Sequence, residues 1–148
     1  MKYIKTRNVK DPNRGTSDSA GIDFYIPNDF NDGKQLTLHP NDSINIPSGI
    51  KVLLDKGTCG IFFNKSGIAV KGMLVGAQVI DADYRGEVHL NIHNTSEYYQ
   101  ILTPGQKITQ LIIQNIDLTV PKLISEDEYS QNDTTERGSG GFGSTGLT

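Results

Sequence analysis

The sequence predicts an all-β sandwich or barrel, and three observations carry that prediction. Helical periodicity is nearly absent along its 148 residues. Short segments alternate apolar and polar residues, most clearly in Val88-His89-Leu90-Asn91-Ile92-His93, the pattern of a half-buried strand. Pro, Gly, Asn and Asp recur between these segments at the spacing of turns in sandwiches and barrels.

Taken in order, Ser43 to Ile46 and Ile50 to Leu54 read as strands flanking the turn Pro47-Ser48-Gly49. A short helical turn starts at Ser66-Gly67 and runs toward Lys71. The strand around Val88 to His93 follows, with His89 and His93 outward. Ile108, Leu111, Ile112 and Ile113 mark a more fully buried strand, followed by Leu118 and Val120. A second helical turn begins at Ser125, with Glu128 as its capping-box partner. The polar stretch Ser130 to Glu136 reads as a flexible linker, so residues 1–129 form the β domain and 130–148 a linker and Gly-rich arm.

Length and composition set bounds on function. A chain of this size is one domain's worth and needs no disulfide staples. A net charge of −3 gives no footprint for duplex nucleic acid, so no stable nucleic-acid binding is expected. Cys59 is the single cysteine, which rules out an internal disulfide and a cysteine-based zinc site. Three histidines without ligand spacing argue against metal binding through imidazole. Met1 to Lys5 lacks the apolar run of a signal peptide, and no segment approaches membrane-spanning length, so a cytosolic, soluble protein is expected.

Five clusters carry more polar chemistry than a plain β domain needs. Ala20-Gly21-Ile22-Asp23-Phe24 puts a carboxylate beside a tight glycine. Asn64-Lys65-Ser66-Gly67-Ile68-Ala69 sets a cation and a hydroxyl at the mouth of a short helix, where exposed N–H groups favour an anion. The other three are Val79 to Glu87, Pro104 to Leu111, and the tail Arg137-Gly138-Ser139-Gly140-Gly141-Phe142-Gly143-Ser144-Thr145-Gly146. The tail cannot bury a core, yet its glycines can turn N–H groups around an anion, Arg137 offers a fork for phosphate, and Phe142 a face for a base. Each cluster also has a plainer reading. Ser66 could cap its helix, Asp23 could be a turn residue, and Asp83, Arg85 and Glu87 could form one solvated strand face. Gln110 inside an apolar run needs hydrogen-bond partners, and the tail alone reads better as a disordered Gly/Ser terminus.

Together the five clusters resemble the five ordered motifs of the trimeric deoxyuridine triphosphatases, from Ala20 to Gly146. The most specific parts are Val79-Ile80-Asp81-Ala82-Asp83-Tyr84-Arg85-Gly86-Glu87 and the tail. The resemblance implies a distorted jelly roll, a homotrimer with shared active sites, and Mg²⁺-dependent splitting of dUTP into dUMP and pyrophosphate. It implies Asp81 as the carboxylate that activates the attacking water, and Tyr84 as the ring packed on the deoxyribose. The hairpin from about Leu74 to Ile80, Val79 included, would read uracil through backbone groups. Lys65, Ser66, Gly67 and Gln110 match phosphate contacts, and Asp23 matches the carboxylate that reaches Mg²⁺, through water. Arg137, Gly143, Ser144 and Thr145 match the γ-phosphate clamp, and Phe142 the ring over uracil. Two positions depart from the pattern: Lys65 stands where the family usually has Arg, and Gln78 where most relatives have Gly. Rival readings are a deoxycytidine triphosphate deaminase of the same fold, a regulatory trimer that uses dUTP as a switch, and a jelly-roll structural or capsid protein.

Overall fold

The computed structural model describes residues 1–132 and 135–141. It divides into two compact units, Met1–Asp117 and Leu118–Thr148.

The first unit is the expected all-β fold. Its strands are β1 (Lys2–Lys5), β2 (Ile22–Tyr25), β3 (Leu36–Leu38), β4 (Ser43–Pro47), β5 (Ile50–Leu53), β6 (Thr58–Asn64), β7 (Met73–Gly76), β8 (Val79–Asp81), β9 (His89–Asn94), β10 (Gln100–Leu102) and β11 (Lys107–Asn115). One helical turn, α1 (Ser66–Ala69), follows β6. The strands form antiparallel sheets in the orders β2-β11-β6-β8, β4-β9-β7, β1-β5 and β10-β3.

Alternation works as the sequence suggests. In β9, Leu90, Ile92 and Asn94 are buried while the residues between them face outward. Ile46, Leu90, Ile92, Ile108 and Leu111 are fully enclosed, and Phe24 meets Phe62 edge-on with ring centroids 5.0 Å apart. Asn94 is one of four buried polar residues among those described, with Asp23, Ser48 and Thr109. Its amide donates to the carbonyls of Leu38 (3.0 Å) and Tyr98 (2.8 Å), and its Oδ1 accepts from the Ser96 backbone (3.1 Å). It thereby ties β9 to β3 and to the turn before β10. Asn94→Ala strands these buried partners and should cost about 1–3 kcal/mol, read as a lower urea midpoint.

Three expectations are corrected. Leu118 and Val120 lie outside any strand and are 61% and 81% exposed. The ladder stops at Asn115, and Pro121 has no N–H with which to extend one. Ser130 to Asn132 are not linker but the end of a second helix, α2 (Glu126–Asn132). The Ser125 hydroxyl accepts the Glu128 N–H (3.2 Å), and Glu126, Asp127 and Glu128 in the first turn suit the positive end of the helix. Finally, β7 and β8 are not the two arms of a hairpin. β7 pairs with β9 and β8 with β6, in different sheets. Ala77 (φ 46°) makes the turn between them, and the Gln78 side chain folds back to the Val75 carbonyl (2.8 Å). The 129/130 boundary expected from the sequence falls inside the second unit.

Candidate active site in two halves

The first half grows from the edge strand β8. Ile80 points into the core, so its neighbours Val79 and Asp81 face out together, and both are exposed. After Asp81 the chain turns, with the Tyr84 N–H donating to the Asp81 carbonyl (3.2 Å). The Tyr84 hydroxyl donates to the Glu87 carbonyl (2.9 Å), which lays the ring over Gly86. A Cβ at Gly86 would sit 2.4 Å from that ring, so only glycine admits this fold-back. The strand-face reading of Asp83, Arg85 and Glu87 fails here, because these residues lie in the turn and loop between β8 and β9. Arg85 donates to the Ala82 (2.8 Å) and Tyr84 (3.0 Å) carbonyls, and the Glu87 carboxylate accepts the Gly49 N–H (2.6 Å). Asp81, Tyr84 and Val79 border a pocket of about 280 Å³, whose other side is formed by Val88, His89 and Asn45. That size suits a nucleoside.

The second half lies where β2, β6 and β11 run side by side. Asp23 is 3% exposed, and its carboxylate receives Lys65 Nζ on one oxygen (2.5 Å) and Lys107 Nζ on the other (2.6 Å). Burial pushes the Asp23 carboxyl up, but the Lys107 and Lys65 ammonium groups outweigh it and hold the group below the usual carboxylate range. The Lys107 ammonium is held above its usual range by the same pair. Gln110 stands opposite Asp23 in the ladder and donates its amide to the Asn64 carbonyl (2.9 Å), so its place in an apolar run is satisfied. Gly21 leaves room for that amide, since a Cβ there would overlap it at 2.2 Å.

Ser66 does not cap α1. Lys65 occupies the cap position and no side chain bonds to the helix end, which leaves Ser66 and Gly67 exposed. A Cβ on Gly67 would meet nothing within 4 Å, so the fold itself does not require glycine there. Gly67→Ala should therefore keep stability or raise it by up to about 1 kcal/mol. If a ligand approaches this backbone closely, the same variant should bind it at least about tenfold more weakly, as calorimetry would show. Unchanged affinity would remove Gly67 from the site.

Arg137, in the second unit, donates through Nε to the Gly140 carbonyl (2.9 Å). Phe142, Gly143, Ser144 and Thr145 lie outside the described residues. The two halves are separate within one chain. Asp81 pairs with Cys59 near one end of β6, whereas Gln110 pairs with Phe63 near the other. Those four residues of strand span about 13 Å, and Lys65 and Ser66 lie further on. Sequence reasoning missed three residues that this geometry brings in: Asn45, His89 and Lys107. Lys107 at least sits inside a recognised cluster, whereas Asn45 and His89 reach the pocket only through strand register.

A family profile for dUTPase matches residues 7–146. The chain belongs to the dUTPase family. Among its relatives is the deoxyuridine 5'-triphosphate nucleotidohydrolase of Candida albicans, 38% identical over 97% of this chain and 86% of the relative. A mutant dUTPase of Staphylococcus bacteriophage 80alpha, solved with dUpNHpp, shares the fold at a TM-score of 0.80, with 22% identity, covering 99% of this chain and 98% of that one. A dUTPase from phage phi11 of S. aureus, solved for its coordination of a structural Mg(II) ion, superposes at 0.74 with 20% identity over 84% and 96%. The fold is thus the dUTPase jelly roll, and a divalent metal fits the family.

Proposed function

We propose that this chain hydrolyses dUTP to dUMP and pyrophosphate as a homotrimer whose sites are shared between copies. The observation that carries the reading is the separation of the two halves. The α- and β-phosphates share one bridging oxygen, whereas the strand positions next to Asp81 and Gln110 lie about 13 Å apart along β6. That separation supports a site in which one copy's Asp81 pocket meets another copy's Lys65–Ser66 end. Exposed Tyr3, Ile4 and Leu53 on the paired β1 and β5 give each copy apolar surface to cover.

In this reading the nucleoside enters the β8 pocket with its sugar against Tyr84, where a ribose 2′-hydroxyl would collide with the ring. Backbone groups of the β7–β8 link, Val79 among them, read uracil, and wrong pairing edges leave buried groups unpaired. Asp81 takes a proton from water as that water attacks the α-phosphorus, and the bond to the α–β bridging oxygen breaks. Lys65, Ser66, Gly67 and Gln110 hold the β-phosphate side. Arg137, Gly143, Ser144 and Thr145 clamp the γ-phosphate while Phe142 covers the base, which makes the tail a lid.

The described residues supply no direct seat for a metal. Both Asp23 oxygens carry ammonium groups, and no metal-holding cluster occurs among the described residues. The donor set fits Mg²⁺ held by phosphate oxygens and water rather than by protein ligands. Bound in that way, the ion would neutralise charge on the triphosphate. A deaminase of this fold needs a free Glu beside the base, and Glu87 is committed to Gly49. No described helix is long and apolar enough to cross a membrane, and a cytoplasmic setting belongs to the same proposal. Pyrophosphate release from dUTP, dCTP, dTTP and UTP tests the reading. Release confined to dUTP supports it, and comparable release from dCTP or UTP overturns it.

A further inference from the structure

We propose that Lys107 is a second triphosphate-binding cation, and that Asp23 serves to hold Lys65 and Lys107 at the phosphate end of the site rather than to face a metal ion. The substrate in this proposal rests on the dUTP reading above.

The geometry is a buried carboxylate shared by two ammonium groups. The Asp23 side chain is 4% exposed, so its charge requires a partner. Lys65 alone would neutralise it. Lys107 is surplus to that need, and the trio carries a net charge of +1. Each ammonium has three donors and gives one to Asp23. The Lys65 and Lys107 side chains remain 28% and 39% exposed, so neither is sealed away from a ligand arriving from solvent. Lys10 adds to the positive edge: its Nζ lies 5.4 Å from the Tyr25 ring centre, and Lys107 Nζ lies 5.9 Å from the same ring. Such a surface repels a free cation and attracts a ligand with several anionic oxygens.

The arrangement also accounts for Lys65 standing where the family usually has Arg. A single lysine offers a point charge in place of a planar two-pronged fork. Two lysines anchored on the two oxygens of one buried carboxylate restore two donors at a fixed separation. Asp23 pre-orients them at no cost to the ligand, because the ion pairs exist before it arrives.

The test compares full-length wild type with Lys107→Met, Lys107→Arg and Asp23→Asn by calorimetry. The probes are inorganic tripolyphosphate, dUMP and a non-hydrolysable dUTP analogue. Lys107→Met should weaken tripolyphosphate and the analogue by about tenfold or more and dUMP by less than about twofold, and Lys107→Arg should restore most of the loss. Asp23→Asn should weaken the triphosphates in the same way, while the Mg²⁺ concentration that half-saturates analogue binding stays unchanged. Should the Met variant melt early, Lys107→Gln retains a donor for Asp23 and carries the same comparison. Equal tripolyphosphate affinity in wild type and a folded Lys107 variant would overturn the proposal. So would a raised Mg²⁺ requirement in Asp23→Asn, which would return Asp23 to the metal. Wild type that splits UTP or dCTP as fast as dUTP would end the dUTP reading, yet tripolyphosphate would still decide Lys107.

Discussion

Asp81→Asn should cut turnover by about 10²–10⁴-fold while nucleotide affinity stays within about twofold. The amide keeps the size of the carboxylate but cannot take the proton of the attacking water. Asp81 is exposed on an edge strand, so the change should leave the fold untouched. Single-turnover hydrolysis and equilibrium binding of the non-hydrolysable analogue separate the two quantities. Hydrolysis near the wild-type rate would show that another group activates the water.

The same residue illustrates what a sequence displays. Strand period is local, so β4, β5, β9 and β11 could be read from alternation and turn residues alone. Asp81 and Tyr84 were legible because their chemistry sits within one short, distinctive run. Register is not local. Asn45 reaches the pocket because β4 lies against β9 with Asn45 opposite Asn91, and nothing near Asn45 announces that pairing. Lys107 sat inside the Pro104–Leu111 cluster with no role of its own until β11 lay along β2 and brought it to Asp23. The β7–β8 link misled for a related reason: short apolar runs joined by a turn resemble a hairpin, and only their partners reveal that they belong to different sheets. Ser66 shows the converse. Its helix is so short that Lys65 takes the cap position, which frees the hydroxyl that propensity would have assigned to capping.

Removing every residue after Glu136 should leave a folded protein that binds nucleotide weakly and scarcely hydrolyses it. The buried core runs from Val9 to Leu111, so the melting temperature should barely move. What the truncation removes is Arg137, the tail hydroxyls and Phe142. Losing even one donor aimed at developing charge commonly costs about 3–4 kcal/mol of barrier, and here several go together. Melting temperature, oligomer mass and turnover should be measured on one preparation. Full activity would reduce the tail to a passive terminus, and loss of the assembly would make it structural.

In the proposed trimer no single copy holds a whole site. Two inactive variants test it: Asp81→Asn, and Lys65→Met combined with Ser66→Ala. Co-expressed with different tags and purified through both, the mixed assemblies pair an intact pocket on one copy with an intact phosphate end on another. Dual-tag assemblies should then recover dUTP hydrolysis, approaching about one third of wild-type sites, because every mixed trimer holds one complementing site of three. Mixed assemblies as silent as either parent would mean that each site lies within one chain, contradicting the separation on which the reading is built.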